Sequence, residues 1–511
     1  MFKRVIALFL ITIITVTTIS SCGPKKSTSS IPSSENSISD SSGTLSDTSD
    51  TSDTSASNAS DIISSSISNS SSKATISTVS MKPNENPIDS TGIDYTKISM
   101  PTRTITNKIL KNYSWREPGP TTENAKRPSS VKLMKDKFGV TIQTMIVSQE
   151  NFWDTLAATV ASGNGPDMVE LPYWNFYPNA ITSDLILPAE DYIDFSTKLW
   201  ADMIKIIDKY KWNNKIYVGF NGADIGGWFF YNKKMFKDKG IPTPRSYYEK
   251  DQWTWKVFKE LAIKMTEKDD KGKTIVYGAC SDLSLMSSTG LDLVEYDRKS
   301  GYKFNLRNSK YSTMMNMFYD LGEKGEKAIG SVPPSDIQNG KLAMLISKSW
   351  IAFNEANQLR LNGNLDWLPI PKMDDATPYY NYVDVYPSYG IVKGAKNPQA
   401  AAEFVELVKW GSLGSSICSY IPRQKNAYDV MYPPENKTPD PKTTLSAADL
   451  EMTKVMINKN YPVVTSMWQS WLDTSSFPGY IKVINNGDQW SQVVEQVYPS
   501  YDALLRSYFK K

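Results

Sequence analysis

Residues 140–171 run VTIQTMIVSQENFWDTLAATVASGNGPDMVEL, and the fold is decided there. Val140 to Ile146 is β-branched and partly alternating, the pattern of a strand. Phe152, Trp153, Leu156, Ala157 and Val160 then fall on one helical stripe, which Gly163 ends. Pro166 to Leu171 reads as a third strand. Just upstream, Ile105 to Trp115, carrying Ile109, Leu110 and Tyr113, reads as the first strand, and a helix follows to about Phe138, closed by Gly139. Strand, helix, strand, helix, strand is the order of a mostly parallel sheet, so the predicted class is α/β.

Downstream, Trp212 to Val218 reads as a tight hairpin turning at Asn213-Asn214, and Gly227 to Tyr231 as a buried strand. Asn232 is placed to cap a helix that stops at Gly240 with Pro242 beyond. Thr254 is placed to cap another, whose stripe is Val257, Phe258, Leu261, Ala262 and Met265. A later helix starts at Asn397-Pro398 and turns Ala401, Phe404, Val405 and Val408 inward. From Met100 to Lys511 there are roughly 410 residues, more than one core accommodates, so two lobes are expected.

Upstream of the folded part the chain changes character. Lys3 and Arg4 precede the apolar run Val5 to Ile19, which is short and interrupted by threonines. That is the layout of a secretory signal rather than of a membrane span of roughly 20 apolar residues. The run ends in Ile19-Ser20-Ser21-Cys22-Gly23, which resembles the lipobox of bacterial lipoproteins. The resemblance implies a signal over 1–21 and lipidation at Cys22, tethering the chain to the outer face of a membrane. Residues 22–99 are dominated by Ser, Thr, Asp and Asn and have no apolar face to bury, so a disordered linker is expected. About 75 flexible residues have an r.m.s. span of roughly 50 Å.

Absences in the sequence narrow the chemistry. The 511 residues contain no histidine, which excludes Ser-His-Asp and Cys-His nucleophile systems and His-bearing zinc sites. Beyond Cys22 there are only Cys280 and Cys418, read as two buried thiols or as a disulfide. No Walker loop, dinucleotide fingerprint or EF-hand occurs, and Asp269-Asp270-Lys271-Gly272 reads as a turn. The formal net charge is +3 with Lys and Glu interspersed, so nucleic acid is not an expected partner.

Four segments carry a family resemblance. They are Ala161-Ser162-Gly163-Asn164-Gly165-Pro166-Asp167, Tyr231-Asn232-Lys233-Lys234-Met235-Phe236, the run Asn339-Gly340-Lys341-Leu342-Ala343-Met344 continuing to Trp350, and Gly394-Ala395-Lys396-Asn397-Pro398-Gln399-Ala400-Ala401. In this order they resemble the extracellular solute-binding proteins of bacterial ABC importers, the maltose-binding-protein class (family 1), here in lipoprotein form. The sequence departs from that pattern at Lys256, around Pro433 to Ser446, and in its long C-terminus.

The resemblance implies a two-lobed periplasmic-binding-protein-like fold of class II, with a ligand cleft between the lobes, preceded by the disordered tether. Lobe 1 would comprise 100–222 and 386–444, and lobe 2 would comprise 223–385 and 445–511. The chain would cross near Asn221 to Trp228, near Tyr382 to Ile391, and near Leu445, segments that absorb hinge closure. It implies capture of a carbohydrate, an oligosaccharide by the aromatic content, and delivery to ABC permease subunits. It also implies a monomer with no catalysis, no cofactor and no metal. The alternatives are a cell-surface glycoside hydrolase and a ligand sensor for a signalling partner.

Sugar rings have apolar faces that indoles cover and polar rims that Asn, Asp, Arg and Tyr bond. Ligands of α/β sheets lie beyond the carboxyl ends of the strands. The expected ligand contacts are therefore Trp115 and Arg116 after the first strand, and Tyr173, Trp174 and Asn175 after the third. Asn221 and Trp228 flanking the first crossing, Trp350 closing the run from Asn339, Tyr386 and Tyr389 on the second crossing, and Trp468 and Trp471 after Tyr461-Pro462 complete the set. Trp153, Trp255 and Trp410 lie on helical stripes and are assigned to packing, while Arg423 either reaches the ligand or braces a loop.

Overall fold

The computed structural model describes residues 92–116, 128–172, 176–297, 301–415, 424–433, 444–458, 463–465 and 478–509. These all belong to one compact unit, Thr78–Lys511. Cys22, Tyr173, Trp174, Asn175, Cys418, Arg423, Trp468 and Trp471 lie outside the described residues, as does the linker up to residue 91.

The first lobe follows the pattern of its sequence. In chain order come β1 (Ile109–Ser114), α1 (Ser130–Phe138), β2 (Thr141–Ile146), α2 (Phe152–Ala161) and β3 (Met168–Glu170). β1 lies between β2 and β3 and is parallel to both, with Asn112 opposite Thr144 and Met168. Ser129 Oγ accepts the Lys132 N–H at 3.2 Å to start α1. Gly139, at φ +67°, ends that helix in the left-handed conformation that an L side chain resists. Leu133, Met134, Phe152 and Leu156 turn from the two helices into the core.

The chain then runs through β4 (Phe220–Ile225), passes Gly226-Gly227 and enters β5 (Trp228–Asn232) in the second lobe. Asn232 Oδ1 accepts the N–H groups of Lys234 and Met235 and so caps α3 (Lys233–Asp238). Thr254 Oγ1 caps α4 (Trp255–Met265), which buries Trp255, Phe258, Leu261, Ala262 and Met265. α4 lies so close on the sheet that a Cβ at Gly278 would fall 1.8 Å from the Ala262 carbonyl oxygen, so only glycine fits there. β6 (Glu267–Lys268), β7 (Thr274–Ser281), α5 (Ser309–Leu321), β8 (Leu342–Ser347), α6 (Ser349–Glu355) and β9 (Leu365–Leu368) follow. The sheet order is β9-β5-β8-β7-β6. Only β7 and β8 are parallel; β5 is antiparallel to β8 and β9, and β6 to β7. This sheet is thus mixed rather than mostly parallel, because β5 arrives directly from a crossing strand and not from a covering helix.

β10 (Asn381–Pro387) returns antiparallel to β4 and leads through Ser388 to β11 (Tyr389–Ile391), the antiparallel edge of the first sheet. That sheet has the order β11-β3-β1-β2. α7 (Pro398–Ser412) covers the first lobe. Residues 424–433 lie there too, with the Tyr428 hydroxyl donating to the Pro128 carbonyl. α8 (Ala447–Asn458) lies on the second lobe, where the Trp367 Nε1–H donates to Thr453 Oγ1 at 3.0 Å. β12 (Val463–Thr465) then pairs in parallel with β10, completing a three-stranded crossing sheet, β12-β10-β4. α9 (Trp490–Phe509) returns to the second lobe, where Arg307 pairs with Glu495 and covers the Tyr498 ring at 3.7 Å. The expected hairpin at Trp212 reduces to one bridge, Trp212 with Lys215, around left-handed Asn213 and Asn214.

Two tertiary ties set the first lobe. The Asp167 carboxylate is buried and accepts three backbone N–H groups, from Lys111 at 2.9 Å and from Lys396 and Asn397 at 2.8 Å each. Asn397 therefore does not cap α7 with its own side chain; its Nδ2 donates to the carbonyls of Asn107 and Ile109. The second tie holds the incoming chain. The expected linker extended to Ser99, but Tyr95 and Ile98 are buried, and the Ile98 carbonyl accepts the Trp410 Nε1–H at 3.0 Å. Arg103 reaches Glu403 and Glu406 on α7 and the Tyr192 carbonyl.

Asp167→Ala leaves three buried donors without an acceptor and should lower unfolding stability by about 3 kcal/mol or more. Asp136→Ala, which removes an exposed pair with Lys132, should change it by less than about 0.5 kcal/mol. Urea titration of the two variants beside wild type checks the contrast.

Candidate functional site

Alternation along β10 separates two faces. Val383 and Val385 are buried on one, and Tyr382, Asp384 and Tyr386 fall on the other. The register sets Asp384 opposite Asp224 and Tyr386 opposite Gly222 on β4. A Cβ at Gly226 would lie 2.7 Å from the Tyr382 ring and 2.9 Å from the Asp384 carboxyl carbon, so glycine there makes room for both side chains. Like charges directly opposite across a strand pair are unfavourable, and the surroundings respond. Lys348, immediately after β8, pairs with Asp384 at 2.9 Å. Burial, then the Asp384 charge, holds the Asp224 carboxyl well above the usual carboxylate range. The Tyr386 hydroxyl donates to Asp224 Oδ2 at 3.3 Å, while Asp224 Oδ1 is buried without a hydrogen-bond partner.

The carboxyl ends of the parallel strands β7 and β8 add their own groups. Asp282 follows β7 and accepts the Ser284 N–H at 2.8 Å. Burial pushes its carboxyl up to about 6, against the lowering effect of the Ser284 hydrogen bond and the Lys348 charge. Trp350, two residues beyond Lys348 in α6, is 54% exposed, and Tyr386 is 50% exposed. On the first lobe, Trp115 and Arg116 follow β1. The Arg116 guanidinium lies 5.3 Å from the Trp115 ring centroid and donates to Glu170 Oε1 through Nε at 3.0 Å and Nη2 at 2.7 Å. Ser114 Oγ donates to Glu170 Oε2 at 2.5 Å.

Trp115 and Arg116 thus come together, beside Tyr389, which is opposite Glu170 in the register and packs edge-on to Phe404 at 5.0 Å. Tyr386 and Trp350 are exposed, each two residues along the chain from a member of the Lys348–Asp384 pair. Asn221 lies off the Asp224 face; its carbonyl accepts from Ser412 Oγ and Lys409 Nζ. Trp228 is wholly buried: β5 lies between β8 and β9 in the sheet, the indole packs on Phe230, Phe353 and Trp367, and its Nε1–H donates to the Ile225 carbonyl. It is a core residue here and leaves the set of proposed ligand contacts. Trp255 and Trp410 are buried, as their stripes required, and Trp153 packs partly buried against Phe152. Cys280 is a free thiol that burial pushes up to about 11.

Glu170, Asp224, Asp282, Lys348 and Asp384 were not singled out in the sequence. The available signal was a carboxylate between buried aliphatics in mid-strand, as in Val383-Asp384-Val385 and Ala223-Asp224-Ile225. Among the described residues, no group of three or more His, Cys, Asp and Glu could hold a metal ion. Nor is any described helix long and apolar enough to cross a membrane.

The family of bacterial extracellular solute-binding proteins matches residues 119–409, more than half of the chain. The chain belongs to that family. No curated protein is a significant sequence match to this solute-binding protein. Among solved structures, its fold is similar to a cyclo/maltodextrin-binding protein complexed with maltotetraose, at 15% identity and TM-score 0.51, over 78% of this chain and 98% of that one. It is similar to an ABC substrate-binding protein from Listeria monocytogenes in complex with cycloalternan, at 14% identity and TM-score 0.50, over 78% and 98% of the two chains. A third is the galacto-N-biose-/lacto-N-biose I-binding protein of the ABC transporter from Bifidobacterium longum, in complex with lacto-N-biose, at 14% identity and TM-score 0.50, over 80% and 99%. The two-lobed α/β fold is thus shared with these solute-binding proteins.

A carboxyl raised in the folded state costs stability once ionised. Stability contributed by protonated Asp282 is full below its unfolded value near 3.8 and is lost as pH rises through about 6. Asn keeps the capping acceptor. Asp282→Asn should therefore be more stable than wild type at pH 7.5 by about 1–3 kcal/mol, and nearly equal to it at pH 4. Thermal melts across that range read the difference.

Proposed function

We propose that this solute-binding protein captures a sugar, an oligosaccharide, between its lobes and delivers it to ABC permease subunits. The observation that carries this reading is Tyr386, Asp384 and the unsatisfied Asp224 Oδ1 on the crossing sheet, with an exposed indole, Trp350, two residues beyond the Lys348 that pairs with Asp384. A sugar needs both parts: a flat apolar surface for the ring face and acceptors for its hydroxyls. The oligosaccharides bound by the cyclo/maltodextrin-binding and Listeria proteins support the same ligand class here. Trp115, Arg116 and Tyr389 would contribute from the first lobe, with Tyr173, Trp174 and Asn175 after β3 and Trp468 and Trp471 after β12. A ligand gripped by both lobes favours a closed form only through its higher affinity for that form. The protein would act as a monomer and perform no reaction on the sugar.

We further propose that Cys22 carries the lipid that holds the protein at the outer face of the cell membrane, the motif Ile19-Ser20-Ser21-Cys22 being the support. Cys22→Ser should leave the precursor unprocessed or release protein into the medium; retention on the membrane with unaltered processing rules the anchor out.

A panel of oligosaccharides read by thermal shift should find the ligand, since a ligand at 100 times its dissociation constant adds about 2.7 kcal/mol of stability. Once found, Trp350→Ala should weaken binding about tenfold in calorimetry while the protein stays folded, one well-stacked ring being worth about 1.4 kcal/mol. Trp255, buried and donating to Ser288 Oγ at 2.9 Å, is the control. Trp255→Ala should cost about 3–5 kcal/mol of stability yet bind normally when folded. Normal affinity in folded Trp350→Ala moves the site elsewhere. Chromogenic glycosides should give no turnover.

A further inference from the structure

The charges around the crossing sheet are unevenly used. Two cations stand in the described part of the site, and each is already matched to an acid: Arg116 to Glu170 and Lys348 to Asp384. Asp224 and Asp282 remain beyond these pairs. The two differ in their surroundings. Asp282 Oδ1 accepts a backbone N–H, whereas Asp224 is 7% exposed and its Oδ1 has no partner. A buried acceptor left open in this way is costly unless something donates to it. Sugar hydroxyls are such donors. A uronate carboxylate or a sugar phosphate is not, and it would meet the Asp384 carboxylate with the adjoining cation, Lys348, already engaged.

We infer that the site selects uncharged saccharides against acidic ones, with Asp384 occupying the cation an acidic sugar would use and the open Asp224 Oδ1 left for a hydroxyl donor. Discrimination of this kind works through a repulsive element as well as an attractive one. The arrangement also accounts for the otherwise unfavourable placing of Asp384 directly opposite Asp224: apart, either carboxylate would be easier to accommodate, but together they keep Lys348 neutralised and leave one open acceptor. The inference rests on the sugar-binding reading and narrows it to a charge class.

The test uses calorimetry on the folded chain with maltotriose, mannotriose, cellotriose and xylotriose, and with the first three oxidised at C6 to their uronates beside trigalacturonate. Wild type should bind a neutral trisaccharide at least tenfold more tightly than its oxidised counterpart. Asp384→Asn, which releases Lys348, should tighten binding of the oxidised form about tenfold and bring the ratio towards one. Asp384→Ser should narrow the ratio as well and carries the test if Asp384→Asn does not fold. A wild type that binds oxidised and neutral forms equally, or prefers the oxidised, overturns the inference while leaving sugar capture intact. So does an unaltered ratio in both folded variants. Absence of binding to every saccharide in the panel overturns the proposed function and this inference with it.

Discussion

Backbone N–H groups from two distant stretches of chain, Lys111 on one side and Lys396 with Asn397 on the other, converge on the buried carboxylate of Asp167. Those stretches are separated by the whole sheet of the second lobe, and no local preference of either would bring them together. A carboxylate accepting several N–H groups is a strong, directional acceptor, and desolvation raises the cost of breaking it. Once Asn397 is held, Pro398 starts α7 in a fixed place. α7 then brings Lys409 and Ser412 to the carbonyl of Asn221, on the outgoing crossing strand. The same tie sets the edge strand β11, since the Val392 N–H donates to the Asp167 carbonyl. Sheet, covering helix and the root of the crossing thus share one anchor point.

The crossing sheet departs from ordinary strand chemistry where the rest of the fold obeys it. Its neighbours β5 and β8 are buried at every position, as strands covered on both faces are. β10 and β4 instead place two aspartates opposite one another and flank them with glycines and tyrosines. Such local violations concentrate at functional sites, where surrounding structure sustains them. Here Lys348, the Tyr386 hydroxyl and the burial of Asp224 do so.

Much of this was readable from the sequence because it is locally encoded. The caps at Asn232 and Thr254 and the glycine stop at Gly139 act within a few residues of themselves. The βαβαβ order of the first lobe depends only on hydrophobic period. The family segments were legible for a reason the structure supplies: the Pro166-Asp167 turn and the Lys396-Asn397-Pro398 helix start are two halves of one contact. What was not legible depends on pairing at long range. Asp224 and Asp384 are 160 positions apart, and neither alone announces the other. Trp228 was expected in the cleft because it flanks the crossing, although it opens a strand whose sequence reads as buried; Phe353 and Trp367, more than 120 positions on, close over its indole. Tyr95 and Ile98 were lost against a serine-rich background, two apolar residues being too few to show a period.

The attachment of residues 95–103 to α7 has a mechanical corollary. Tension arriving along the chain from its N-terminal side meets Ile98, held by the Trp410 indole, and Arg103, clamped between Glu403 and Glu406, before it reaches β1. Those contacts all belong to the first lobe, so the load passes into α7 before it reaches the sheet of the second lobe. The sheet of the second lobe lies outside that path, so a pull on the incoming chain is resisted by one half of the molecule.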